Sequence, residues 1–289
     1  MICFVILHYI VIDETIQCVE KVKKLMGDKK IIIVDNCSPD GSGKELFDIF
    51  KSDPEVDVIL NDSNLGFANG NNIGCQYAKN TYDPQFYVVM NNDVEITQND
   101  FIQRIKSIWD KEKFHVLSPD IYSTTKRVHQ SPKSIVRTNL IESKKLQYKY
   151  YRKMNSTFLV PLRCYLKKIW FINNFYFRSK NINLGIDYTK KYYNVPMHGS
   201  CFVFSKIYIH ARKEAFYPNT FLYYESEILD YECLLNGWKE LYDPSIKVLH
   251  HQNVSTNATY KNELMKVRFM NEQNYKSITA FINEYGKEE

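Results

Sequence analysis

The chain has 289 residues, with 38 Lys and Arg against 33 Asp and Glu, a formal charge of +5 at pH 7. Hydrophobic residues at 44% and charged residues at 25% are ordinary globular values and exclude disorder, collagen and coiled coil as the main state. The length suits one large domain or one domain with an appended element. Seven cysteines, odd in number and never in a C-x-x-C pair, signal neither a disulfide framework nor a thiolate zinc site, so a reducing cytoplasm is the expected setting. No apolar run reaches the roughly 18 residues of a membrane span, and Met1–Leu7 lacks the basic leader of a signal peptide.

In chain order, Ile2–Leu7 is a short continuous apolar run, and 13–26 carries apolar residues at helical spacing. Ile31–Val34 reads as a buried strand stopped by the turn-forming cluster 35–41. Helical 44–50, strand 56–60, loop 61–66, a helix to about Lys79 and strand 86–90 follow, the last ending at Asn91-Asn92-Asp93. Continuous apolar strands separated by helices predict an α/β fold whose mostly parallel sheet is covered on both faces. Ligands collect at the carboxyl ends of such strands, where the polar clusters 35–41 and 91–93 lie.

Residues 133–191 differ in character: fourteen Lys and Arg face two acidic residues, a net +12 that leaves −7 for the rest of the chain. Aromatic residues gather there too, and 158–169 has an amphipathic helical pattern. Beyond it, 201–204 and 246–249 read as strands, 223–235 as a helix stopped by Asn236-Gly237, and the chain from Tyr260 as a charged helical tail.

A carboxylate with amide neighbours at a strand end, as at Asn91-Asn92-Asp93, can hold Mg²⁺ or Mn²⁺ together with a diphosphate; a plain turn is the other reading of those three residues. The surrounding pattern favours the ion. Ile31 to Ser42, Asn64-Leu65-Gly66-Phe67-Ala68-Asn69-Gly70-Asn71-Asn72-Ile73-Gly74 and Met90-Asn91-Asn92-Asp93 closely resemble, in order and spacing, the three signatures of family-2 glycosyltransferases, enzymes of the GT-A fold. The resemblance implies that Asp35 contacts the base, with capping of the 38–41 turn as its alternative. It also implies that Asn64 caps the glycine-rich helix or touches the nucleotide, and that Asn91, Asn92 and Asp93 meet ribose, phosphate and metal. His8 falls where the family's first strand meets the base, with a structural role equally open. Gly66, Gly70 and Gly74 recur every four residues and leave one helix face bare, for a nucleotide or for a strand.

Three further matches lie in the distal half. Met197 to Val203 resembles the segment that frames the acceptor, with Gly199 and Ser200 as acceptor contacts. Phe221 to Leu229 is similar to the acidic motif whose usual Glu-Asp supplies the general base. Ser226 occupies the Asp position, so the base falls to Glu225 or Glu227, with Glu225 favoured. Asp243 to His251, followed by Ser255-Thr256, resembles the closing strand with its metal-binding His, and His250 aligns with that ligand.

The resemblance thus implies an inverting hexosyl- or deoxyhexosyltransferase of the bacterial polysaccharide type. It would use Mn²⁺ or Mg²⁺, a UDP- or dTDP-sugar donor and a saccharide or lipid-linked saccharide acceptor. A nucleotide-sugar-binding scaffold that has lost catalysis is the alternative raised by Asn91 and Ser226. A sugar nucleotidyltransferase fits less well, because 8–14 contains no Gly-rich basic loop. The expected organisation is a nucleotide-sugar-binding half at 1–132, a basic aromatic-rich helical insertion at 133–191, an acceptor and catalytic half at 192–257, and a helical tail at 258–289. The insertion suits an anionic membrane surface, at the inner face of the cell membrane, better than nucleic acid; acceptor-side packing and a homodimer contact are its other readings.

Overall fold

The computed structural model describes residues 1–156, 185–252 and 262–287. The predicted alternation holds through the first half as β1 (Ile2–His8), α1 (Ile12–Lys23), β2 (Lys29–Asp35), α2 (Ser42–Phe50), β3 (Val56–Leu60), α3 (Gly66–Thr81) and β4 (Phe86–Asn91). Strands β1 to β4 are mutually parallel, in the order β3-β2-β1-β4. Along β1 the side chains alternate between two cores. Ile2, Phe4 and Ile6 pack with Val19, Val22, Leu46 and Ile105 on one face, while Cys3 and Val5 pack with Ala68, Cys75 and Ala78 on the other. Burial on both faces is why these strands read as unbroken apolar runs.

The second half continues the same sheet: β5 (Val94–Ile96), α4 (Phe101–Glu112), β6 (Val116–Ser123), β7 (Val128–His129), α5 (Leu140–Met154), β8 (Tyr192–Tyr193), β9 (Cys201–Ser205), α6 (Lys206–His210), α7 (Glu225–Asn236), β10 (Glu240–His250) and α8 (Glu263–Tyr285). Among the described residues, ten strands form one sheet, ordered β3-β2-β1-β4-β9-β6-β10-β5 along its path, with β7 on β6 and β8 on β10. Strand β9 lies antiparallel between β4 and β6, so a strand from late in the chain fills the centre of a sheet begun early.

The sequence pattern predicts no strand at 116–123. Ser118, Pro119 and Asp120 interrupt the apolar run there, yet the segment is buried because Ser118 Oγ meets Ser131 Oγ at 2.8 Å and Asp120 meets His129 at 2.7 Å. The predicted strand 246–249 belongs to a longer β10, whose register against β6 shifts between Asp243 and Lys247. The amphipathic pattern at 158–169 and the Ser255-Thr256 pair lie outside the described residues.

Helices α5, α7 and α8 share a third core built from Leu140, Tyr224, Ile228, Ile278 and Phe281. Arg137, just before α5, ties them to the sheet: its guanidinium meets Asp230 of α7 and Glu240 of β10, both buried, at 2.9 Å each. Glu240's carboxyl is raised well above the usual range, chiefly by burial and by the neighbouring Asp230. No helix among the described residues is long and apolar enough to cross a membrane.

Candidate active site

Strands β1, β2 and β4 end close together, with His8 opposite Asp35 and Asn91 opposite the preceding Leu7. His8 is fully buried at this edge. Its Nδ1 lies 2.7 Å from Thr15 Oγ1 and its Nε2 2.9 Å from Ser42 Oγ. Burial lowers its pKa against the opposing pull of Asp35 and Asp40, so the ring is a neutral strut joining β1, α1 and α2. Both nitrogens are committed, which is the structural alternative to a base contact. Asn92 reaches the same hydroxyl, donating to Thr15 Oγ1 at 2.9 Å.

Asp35 accepts from the Ser38 hydroxyl at 2.6 Å and the Ser38 amide at 3.2 Å, the turn-capping arrangement, and its Oδ2 packs directly against Gly43. Asn64 accepts from Asn36 Nδ2 at 2.9 Å and from Gly66 N–H at 3.0 Å, which fixes the loop into α3. The bare face of α3 receives strands. A Cβ on Gly74 would stand 2.4 Å from Val5 Cγ1, and one on Gly70 2.6 Å from Leu7 Cδ1. The asparagines of the same helix point the other way. Asn69 donates to Pro218 O, and Asn72 exchanges hydrogen bonds with the Phe216 backbone at 2.8 and 2.9 Å, while Phe67 N–H donates to Phe221 O at 2.7 Å. The Asn-Gly pattern therefore grips the segment that leads into the acidic motif.

Asp93 and His250 meet where β5 pairs with β10. Asp93 Oδ1 lies 3.2 Å from His250 Nε2 and has no hydrogen-bond partner although it is buried. His250 Nδ1 is 2.8 Å from Gln130 Oε1. An amide oxygen accepts only, so Nδ1 donates to it, and this bond turns Nε2 toward the buried carboxylate oxygen. Two adjacent donors of this kind fit a divalent cation, and a hydrogen-bonded outer partner is how a ligating His is normally oriented. Among the described residues no cluster of three or more His, Cys, Asp or Glu is present, so the remaining positions would fall to phosphate oxygens and water. Asn91, half-buried, takes its place through its backbone, donating to Ser200 O at 2.9 Å. Ser200 in turn touches His198, whose pKa burial and His250 hold well below normal. At Gly199 an added Cβ would meet nothing within 4 Å, so the backbone there borders open space.

The acidic motif opens α7. Tyr223 and Tyr224 immediately before it both adopt left-handed backbone, φ +70° and +72°, which costs roughly 1–3 kcal/mol each and marks a position held by its surroundings. Here the holders are Ser143 of α5, hydrogen-bonded to the Tyr224 hydroxyl at 2.7 Å, and Phe281 of α8, edge-on to its ring. The turn delivers two carboxylates into different environments. Glu225 is buried with Oε1 unpartnered, and burial, aided by Glu227, raises its carboxyl to about 7. Burial would raise Glu227 as well, but the Lys133 ammonium and the Ser226 hydroxyl, 2.9 Å away, hold it low. Lys133, Glu227 and Tyr224, with Thr138, Leu146 and Pro196, line a cavity of about 370 Å³.

Sequence reasoning missed Gln130 and Lys133. In sequence Lys133 is simply the first charge of the basic insertion, and Gln130 carries no local signature. Three residues apart, they connect the Asp93–His250 pair to the acidic motif, a link that only the return of β10 and α7 creates.

A mixed, mostly parallel sheet flanked by helices, with polar clusters at its strand ends, is the architecture of the GT-A glycosyltransferases. The family model "Glycosyl transferase family 2" matches residues 3–179, more than half of the chain, and the chain belongs to that family. No curated protein matches it. Among solved structures it is similar to GalNAc-T7 with UDP, GalNAc and Mn²⁺, at 15% identity and TM-score 0.56, over 86% of this chain and 43% of that one. It is also similar to TarS of S. aureus, at 12% identity and TM-score 0.54, over 92% of this chain and 38% of that one. The chain thus spans less than half the length of either.

Proposed function

We propose that the protein transfers a sugar from a UDP- or dTDP-sugar to a saccharide hydroxyl, inverting the anomeric carbon, with a divalent metal held by Asp93 and His250. The observation that carries this reading is the buried Asp93 oxygen, without a hydrogen-bond partner, facing Nε2 of an oriented His250 at the carboxyl edge of the sheet. A cation bound there would neutralise the nucleoside diphosphate as it leaves. Glu225 accepts the acceptor's hydroxyl proton while the acceptor oxygen forms its bond to the anomeric carbon and the sugar–phosphate bond breaks. With a carboxyl raised to about 7, Glu225 is a better-matched base than the ion-paired Glu227. Lys133 keeps Glu227 ionised and stationary, so that its charge bears on Glu225.

The decisive experiment is NMR of UDP- and dTDP-sugars incubated with the protein and Mn²⁺. Release of free sugar and nucleoside diphosphate, accelerated by a saccharide or lipid-linked acceptor, is the expected result. Nucleotide binding with no donor consumed would make the chain a binding protein, the role that Asn91 and Ser226 raise.

A further inference from the structure

The outer face of α5 plays no part in the site. Its inner residues Leu140, Ser143 and Leu146 pack against α7 and α8, and the opposite face carries Ile141 and Tyr148, 62% and 63% exposed. At 100° per residue, Tyr148 lies within about 20° of Ile141 around the axis, Lys144 on one side and Arg152, Lys145 and Lys149 on the other. All four cations are exposed. The helix holds five basic residues and one acidic residue, Glu142, which is paired with Lys145. Beside its N-terminus, Ile135 and Val136 add 51% and 66% exposed apolar surface.

Apolar and aromatic side chains flanked by long cations suit one kind of environment. Tyrosine prefers the boundary between head groups and acyl chains, lysine and arginine stems lie along apolar surface while their charges reach phosphate, and a net positive helix is drawn to a negative leaflet. A soluble protein partner would need an acidic surface with an apolar seam; an anionic bilayer offers both features without special shape. We infer that the outer face of α5, with Ile135 and Val136, is a docking surface for anionic phospholipid. It lies parallel to the bilayer plane, and the α5 residues that line the cavity beside Glu227 stand on the same helix, so docking would bring that cavity to the membrane border. The surface stands on its own residues and does not depend on the transferase reading.

The test is sedimentation of the full chain with vesicles of phosphatidylcholine alone or with about one-third phosphatidylglycerol, which needs no substrate. Binding to the anionic vesicles, weakened by salt, is expected. The K144Q/K145Q/K149Q/R152Q variant should lose about 100-fold or more in affinity, since each cation near such a surface contributes roughly fivefold. The I141S/Y148S variant should bind weakly at a salt concentration where the parent still binds. These positions are exposed, so circular dichroism should report an unchanged fold. Absence of parent binding overturns the inference, as does parent-like binding by both variants. A parent dimer that both variants abolish, without vesicle binding, would make the face a subunit contact instead.

Discussion

Glu225 and Glu227 are two residues apart on one helix turn, yet one carboxyl is raised to about 7 and the other held low, because the Lys133 ammonium pairs directly with Glu227 and acts on Glu225 only weakly, from a distance. The base works when ionised, so transfer should fall as pH drops below about 7, the value to which Glu225 is raised. Glu225→Gln should retain donor binding and lose on the order of 10² to 10⁴ in turnover. The same group makes a stability prediction of definite sign. A carboxyl raised from 4.5 to about 7 by folding contributes stability that is fully present below 4.5 and lost as pH rises through 7. Melting should therefore show Glu225→Gln more stable than the parent at pH 8, with the gap closing at pH 4. Equal melting at both would mean that Glu225 is not buried as an acid. At the metal pair, Asp93→Ala should abolish Mn²⁺ binding by calorimetry. Gln130→Leu, at a residue that would touch neither metal nor substrate, should weaken it about 10- to 100-fold by releasing the His250 ring from the hydrogen bond that orients it. Asp93 and His250 were legible as strand-end residues with metal-binding side chains. Gln130 was not, because the bond that matters spans 120 positions of chain.

At the scale of elements, the glycine-rich helix α3 is where the sequence was most suggestive and the structure most specific. Recurrent glycines leave open whether a nucleotide or a strand approaches; in the structure Gly74 touches Val5 and Gly70 touches Leu7 of β1, while Gly66 abuts the Phe221 backbone. Gly74→Ala would force a methyl into Val5 and Val34, and overpacking of this kind typically costs about 1–3 kcal/mol. Urea unfolding should show a lowered midpoint with an unchanged slope. A neutral result would mean that β1 and α3 separate more easily than their contact implies. Parallel strands β1 to β4 were readable because both their faces are apolar. Strand β6 was hidden by buried polar residues that find partners in each other's neighbourhood, an arrangement without periodicity to detect. The left-handed pair Tyr223-Tyr224 was equally invisible, since its support comes from α5 and α8 rather than from its own residue types.

On the scale of the whole molecule, the first 156 residues contain β4 and β6 but not the strand between them. That strand, β9, brings Cys201, Phe202, Val203 and Phe204, all fully buried, into the middle of the sheet. Arg137, Asn69 and Asn72 add hydrogen bonds from the early part to Asp230, Pro218 and Phe216 of the later one. The covalent connection through 157–184 is thus one link among many between two interleaved portions. A protease site engineered between Ser156 and Gly185 should, once cut, leave two peptides that co-elute as one particle on gel filtration. Either peptide expressed alone should aggregate, because the first would lack two strands of its sheet, β9 between β4 and β6 and β10 between β6 and β5, and the second would expose β9 as a central strand with no neighbours. Co-expression should restore a soluble complex. The interleaving makes this chain suited to use as a split reporter, reconstituted strand by strand from two separately encoded pieces.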